Sequence, residues 1–272
     1  MFYWIYDYSS SLIGALFAAF FVGVTWFGIF AFRGIIRTWI HRDGNANDMV
    51  GFALSSFSVL YGLLLGLLAV AAYQNFSSVS DLVTRESSNV ASLYRDTQGL
   101  PEPEKGKLQA ELRDYVRFVI DESWPLQRKG IVPEAGSEKV TALFKDLIAF
   151  KPRDRSEEII FTEALHQFNA FVEVRRERLA NVTTGIPPVL WWVVGLGAIL
   201  NIMLIWMLNM EIHVHVILGG MLSLFLGIVI FLIAALDNPF RGEVSVGPDA
   251  FQLVYDSLMK ADEGKALPSV GK

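Results

Sequence analysis

The sequence predicts an all-α membrane protein: four transmembrane helices, with a helical soluble domain inserted between the second and third spans. Three observations carry this. Hydrophobic residues are 53% of the 272, and they concentrate in four runs without an internal charge. The intervening stretch 74–186 holds 16 of the 23 Lys and Arg and 18 of the 28 acids. Within that stretch, apolar residues recur at helical rather than strand spacing.

The four runs are Ser11 to Phe32, Gly51 to Tyr73, Pro187 to Leu208 and Val214 to Leu236. Each has about 20 residues, and at 1.5 Å rise that crosses a hydrocarbon core of ~30 Å. The flank MFYWIYDYSS lacks Lys and Arg and the first run is long for a signal peptide, so it is expected to be a retained span. Phe2, Tyr3, Trp4, Tyr6 and Tyr8 before it, and Trp191, Trp192 and Trp206 on the third run, suit a headgroup-level aromatic belt.

The insert divides into four helices. Val79, Leu82, Val83, Val90, Leu93 and Tyr94 form one stripe, and Leu108, Leu112, Tyr115, Val116, Val119 and Ile120 a second. Val140, Leu143, Phe144, Leu147 and Ile148 form a third; Ile159, Ile160, Leu165, Phe168, Phe171, Val172 and Leu179 form a fourth. No strong breaker lies between Gly66 and Thr97, so the second span is expected to run on into the insert as one helix. Gly99 to Glu104 ends it, Trp124-Pro125 ends the next, and Ser156 is the expected cap of the last. Gly185-Ile186-Pro187-Pro188 separates that helix from the third span. The division is thus 1–73 for two spans, 74–186 for the soluble domain, 187–236 for two more spans, 237–259 for a juxtamembrane turn and C-terminal segment, and 260–272 for a disordered tail.

Several chemistries find no support. A net charge of −5 gives no reason to expect a nucleic-acid partner, and the absence of Cys removes disulfides, thiolate metal sites and cysteine nucleophiles. There is no Gly-rich phosphate loop and no nucleophile–base pair, so no catalytic residue, cofactor or enzymatic activity is assigned. His213 and His215 lack accompanying ligands and read as an interfacial pair rather than a metal site.

Four spans place both termini and the insert on one side of the bilayer. Arg33, Arg37 and Arg42 flank the spans on the other side; Arg85, Arg175, Arg176, Arg178 and Arg241 flank them on the insert side. Three against five favours a cytoplasmic insert in a bacterial inner membrane.

VLYGLLLGLLAVAAYQNF, DYVRFVIDESWP, FTEALHQFNAFVEVRRERLANVTTGIPPVLWW and LDNPFRGEVSVGPDAF, in this order and spacing along the chain, resemble the signatures of the bestrophin-like family of bacterial membrane proteins of unknown function, DUF4239. The resemblance runs from about Gly51 to Phe251. It implies a distant similarity to bestrophins, oligomeric anion channels with four spans per subunit and a helical cytosolic domain. It also implies a pore lined by the second span, a homo-oligomer (a pentamer by analogy) and permeant inorganic anions. Asn238-Pro239-Phe240 matches the turn after the last bestrophin span, whereas the dense acidic run of the animal calcium clasp is missing here.

Two sets of residues follow. Gly51, Ser55, Ser58, Gly62, Gly66, Ala69 and Tyr73 recur every three or four residues and share one face of the second span. Such a face serves close helix packing in lipid or lines a water-filled path, with Leu63, Val70 or Tyr73 as constrictions. Arg33, Arg37 and Arg42 would then attract anions at the outer mouth, or act as interfacial anchors. The second set surrounds Asp237, where Pro239 must stop the fourth span. Gly242 permits a turn and Phe251 can anchor the returning chain. Asp237, Pro239, Phe240 and Arg241 either fix that turn or couple it to Arg175, Arg176 and Arg178, with Asp237 pairing one of these arginines. The arginines themselves suit lipid headgroups or acidic partners. The competing function is a non-conducting membrane scaffold or sensor whose helical insert binds a partner.

Overall fold

The computed structural model describes residues 3–39, 46–260 and 262. The described elements are all helical: α1 (Ser10–Trp39), α2 (Ala46–Asp96), α3 (Glu104–Phe118), α4 (Trp124–Gln127), α5 (Ala135–Ala149), α6 (Arg155–Ala180), α7 (Pro188–Met207), α8 (Ile212–Leu236) and α9 (Asp249–Val254). Short 3-10 and π turns join them. Two compact units result. The first takes residues 1–75, 185–238 and 242–244; the second takes 76–184, 239–241 and 245–272.

In the first unit α1, α2, α7 and α8 are long and apolar enough to cross a bilayer. α1 packs along α8 because α8 is slim where they meet. A Cβ at Gly227 would lie 3.0 Å from Phe17 O, one at Gly219 3.1 Å from Ile29, and one at Gly220 3.0 Å from Trp26. Small residues let helix backbones approach in this way where lipid offers no hydrophobic drive. Trp206, expected in the aromatic belt, instead fills the notch at Gly28 and donates its indole N–H to Thr25 O at 3.0 Å. Trp4 and Tyr8 do remain exposed.

α2 joins this unit through one side only. Tyr61 lies over Gly197 of α7, where a Cβ would come within 2.2 Å of the ring, and its hydroxyl donates to Val194 O at 2.7 Å. Asn201 donates to Ser58 Oγ at 3.0 Å. Gly197→Ala is therefore expected to pry Tyr61 off its seat, at a cost of about 1–3 kcal/mol for overpacking. The check is a lowered thermal midpoint in detergent, where Gly195→Ala, facing open space, leaves the midpoint unchanged.

In the second unit the helical stripes meet in one core. Val79, Val90, Leu112, Val116, Phe171 and Phe251 are fully buried. The margins of the stripes remain at the surface, with Phe144, Ile148 and Ile159 exposed. Two boundaries differ from the expectation. The helix does not end at Trp124-Pro125. α3 continues through a π turn, Val119–Ser123, into α4. Trp124 N–H reaches five residues back to Val119 O. The register widens just before Pro125, which has no N–H to give, so the helix passes the proline without a clash. The cap of α6 is Asp154, not Ser156: its carboxylate accepts from Ser156 N at 2.8 Å and Glu157 N at 2.9 Å. A carboxylate satisfies two first-turn donors at once and also favours the positive helix end. Of the expected disordered tail, Lys260 and Asp262 are described, and Asp262 accepts from the Tyr94 hydroxyl at 3.2 Å. The rest lies outside the described residues.

The surface of this unit carries one titration of consequence. Burial pushes the Glu111 carboxyl up to about 7, with Asp146 beside it adding to the rise. Asp146 is held below its usual range by Glu111 and then by Lys107. A raised Glu111 favours the folded state below its unfolded value near 4.5 and loses that advantage as pH climbs through about 7. Asp146 works in the opposite sense, below about 4. Stability of this unit is therefore expected to fall from pH 5 to pH 8, and Glu111→Gln to flatten that slope. Amide exchange of α3 and α5 across this range reads it.

Candidate functional site

Among the described residues the second span presents one largely exposed face. Phe52, Val59, Leu63, Leu67, Val70 and Tyr73 are all more than half exposed. A Cβ added at Gly51, Gly62 or Gly66 would meet no atom within 4 Å. This separates α2 from α8, whose glycines are in tight contact. Among the sequence-selected residues, Ser55, Gly62, Gly66 and Tyr73 lie exposed, while Gly51 and Ala69 are half-buried. Ser58 turns toward α7 and bonds Asn201, so it belongs to the packed side. The free face is also wider than the small-residue stripe. The stripe forms one edge of it, and the middle is carried by Phe52, Val59, Leu63 and Val70. Ser55 satisfies its own hydroxyl by donating to Gly51 O at 2.8 Å.

The arginines assigned to the outer mouth fare differently. Arg33 donates to Met210 O at 3.3 Å and so ties α1 to the segment between α7 and α8. Arg37 is exposed. Arg42 lies outside the described residues. Of the two histidines, His213 is exposed, and the buried His215 donates Nε2–H to Ile205 O at 2.9 Å. Among the described residues no group of three or more His, Asp or Glu is placed to hold a metal ion.

The turn after α8 is built from both ends. In the first unit Asp237 accepts from Ile186 N and from the Trp191 side chain, which staples the start of α7 to the end of α8. Asn238 donates to the Tyr6 hydroxyl at 2.9 Å, and Tyr6 donates to Ala234 O at 2.7 Å. In the second unit Pro239 O accepts from Val246 N at 2.8 Å, closing a loop that brings Phe240 against Trp124 with ring centroids 5.6 Å apart. Gly242, at φ +82°, supplies the left-handed step. Arg241 donates to Lys129 O at 2.9 Å.

The expected pairing of Asp237 with an arginine is replaced by other partners. Asp237 is satisfied by backbone and indole donors. Arg178 has its own carboxylate: it donates Nε and Nη2 to Glu86, whose side chain is 0% exposed, and Nη1 to Gln127 Oε1 at 2.6 Å. The Tyr115 hydroxyl donates to Glu86 Oε1 at 2.8 Å. The Arg178 guanidinium lies over the rings of Trp124 and Phe251, 5.1 and 5.9 Å from their centroids. Phe251 thus anchors the returning chain as expected, and it does so on a buried ion pair that the hydrophobic stripes did not suggest. The signal was present: Glu86 falls in register with Val79, Val83 and Val90, and Arg178 with Phe171 and Val174. Arg176 is exposed, and Arg175 is buried near Ser137.

Comparison with known proteins places this arrangement. The family model described as a bestrophin-like domain matches residues 15–251. The crystal structure of a bacterial bestrophin homologue from Klebsiella pneumoniae is similar with a TM-score of 0.59 at 15% identity, over 91% of this chain and 98% of that one. A variant of that homologue carrying an isoleucine-to-threonine change gives 0.61 at 14%, over 90% and 97%. At such identities the likeness is one of fold. No curated protein matches the sequence. With the family model spanning four membrane-length helices and the insert between them, the chain is an integral membrane protein belonging to the bestrophin-like family.

Proposed function

We propose that the protein is an oligomeric, anion-permeable channel whose second span lines a central path. The observation that carries this is the contrast between glycines. Where small residues serve packing in this chain, as on α8, partners lie within about 3 Å. The glycines of α2 face open space, and α2 is the least buried of the four spans at 17%. A long apolar helix attached by a single side is suited to surround a symmetry axis, with Leu63, Val70 and Tyr73 forming an uncharged neck. The span has no ionisable group apart from Tyr61 and Tyr73, which suits passive conduction better than proton coupling. A homo-oligomer, pentameric by analogy with bestrophins, sits in the bacterial inner membrane with the insert and both termini cytoplasmic.

Reconstitution in liposomes tests the reading. Chloride current or flux above that of empty vesicles is expected. No conductance at any voltage or calcium concentration would overturn it and leave the non-conducting scaffold, with its insert binding a partner.

A further inference from the structure

We propose that the first unit binds one acyl chain of a bilayer phospholipid in a slot between α1 and α7. The slot is a cavity of about 550 Å³ lined by no charged side chain. α7 lines it with Trp191, Val194, Gly195 and Ala198, a helical spacing that carries the slot about 10 Å along the axis. α1 supplies Phe17, Phe20 and Phe21, and α8 supplies the buried Ile230. These positions fall in the first half of α1, the first half of α7 and the last third of α8, which is the end of the spans that adjoins the insert. Trp4, which also lines the slot, precedes α1 and is 54% exposed, as suits a residue at headgroup level.

Gly195 keeps the slot open: a Cβ there would meet no atom within 4 Å. The aromatic walls are held from behind. Trp191 is tied to Asp237, Phe17 packs on Phe231 with centroids 5.9 Å apart, and Phe21 lies against Gly227. The slot therefore does not close by collapse, and while it is empty its lining atoms lack dispersion partners. Water does not fill it, because a water needs two or more polar partners. A helix of a neighbouring subunit, about 10 Å across, needs roughly 800 Å³ over the same length and is too large. A hydrocarbon chain is thin enough, and the cavity lies within the 300 to 1,000 Å³ range of about one small ligand. The chain belongs to a phospholipid rather than a free fatty acid. The only Lys and Arg of this unit are Arg33, Arg37 and Arg42, which come in the last turns of α1 or after it, whereas Asp7 and Glu243 stand near its start. A fatty-acid carboxylate at the slot's mouth would thus find like charge. The site is independent of whether the spans conduct.

Photolabelling of the assembled full chain in dodecyl maltoside tests it, with phosphatidylethanolamine carrying a diazirine on one acyl chain as the probe and peptide mass spectrometry as the readout. Label saturating at one lipid per chain is expected on the peptides holding residues 16–21 and 191–198. Around Met221 and Phe225, which are exposed elsewhere on the bundle, label should be weak and should not saturate. In Gly195→Leu the new side chain occupies the slot, so saturable labelling should weaken by roughly tenfold or more, each displaced methylene being worth about a factor of four. If that variant fails to fold, Phe20→Ala decides: Phe20 is 64% exposed, so its loss spares the core and removes one wall, and labelling should fall by roughly threefold or more. Label spread evenly over all exposed faces, or saturable label unchanged in the variant that folds, would overturn the proposal. So would an unlabelled slot in the assembled protein, which would mean that a neighbouring subunit covers it, or labelling by the diazirine fatty acid alone.

Discussion

Glu86→Ala is expected to unfold the second unit under conditions where the parent is stable. Glu86 is 0% exposed and Arg178 1%. Removing the carboxylate strands a guanidinium between Trp124 and Phe251 and leaves the Tyr115 hydroxyl without its acceptor. Breaking a buried ion pair on one side costs about 3–5 kcal/mol, against a total stability on the order of 5–15 kcal/mol for a domain. Burial raises the Tyr115 phenol, so it stays protonated and donating throughout the physiological range. Nothing else in the cluster can take over as an acceptor for both groups, because Gln127 already accepts from Arg178 and gives its own N–H to Ser123 Oγ. The loss should therefore not be recovered by raising pH. Replacing both charges, as in Glu86→Leu with Arg178→Met, removes the stranded group and should restore most of the loss. Denaturation of the three variants, followed by protection of α2 amides beyond residue 76, measures this. A Glu86→Ala variant as stable as its parent would mean that the pair is not buried as described.

The second large effect concerns conduction. Leu63→Glu is expected to cut chloride flux at least tenfold, while Leu63→Arg preserves it. Leu63 is 62% exposed and lies in the middle of the free face of α2. Repeated around an axis, a carboxylate there lies close to any ion that passes. At an effective dielectric of 20, one such charge ~5 Å from a chloride raises its energy by about 3 kcal/mol, a hundredfold effect before partial protonation and counter-ions reduce it. The sign of the substituted charge therefore separates a pore from a packing face. If the face met lipid, either charge would cost about 2.5–3.5 kcal/mol on insertion and both variants would fail alike. The assay is chloride efflux from proteoliposomes, with the amount of inserted protein matched.

Much of this architecture could be read from the chain because bilayers impose long, charge-free segments and because Pro and Gly punctuate helices. The four spans, the unbroken run of α2 into the insert, the stop at Pro239 and the anchoring of Phe251 all follow from such local rules. What escaped depended on partners distant in sequence. Trp124-Pro125 reads as a stop, and only the π turn before it shows how the helix continues. Ser156 reads as a cap, yet Asp154 reaches two donors from two residues earlier. Glu86 and Arg178 are 92 positions apart and become one group only in the fold. Asp237 was expected to seek a cation, but the N–H of Ile186, at the junction before α7, was nearer. The stripe of small residues on α2 was visible, but its meaning was not. Composition alone cannot tell a packed glycine such as Gly227 from an open one such as Gly62; the contacts at each Cβ position can.

Water access to α2 tests the central claim most directly. The chain has no cysteine, so single cysteines need no altered background. Cysteines at Gly62, Leu63 and Val70 in the assembled, membrane-embedded protein are expected to react with a membrane-impermeant thiosulfonate and to block chloride flux as they do so, whereas one at Leu65, buried against its neighbours, stays unreactive. Silence at all three exposed positions, in protein that is folded and inserted, would contradict a water-filled path along this helix.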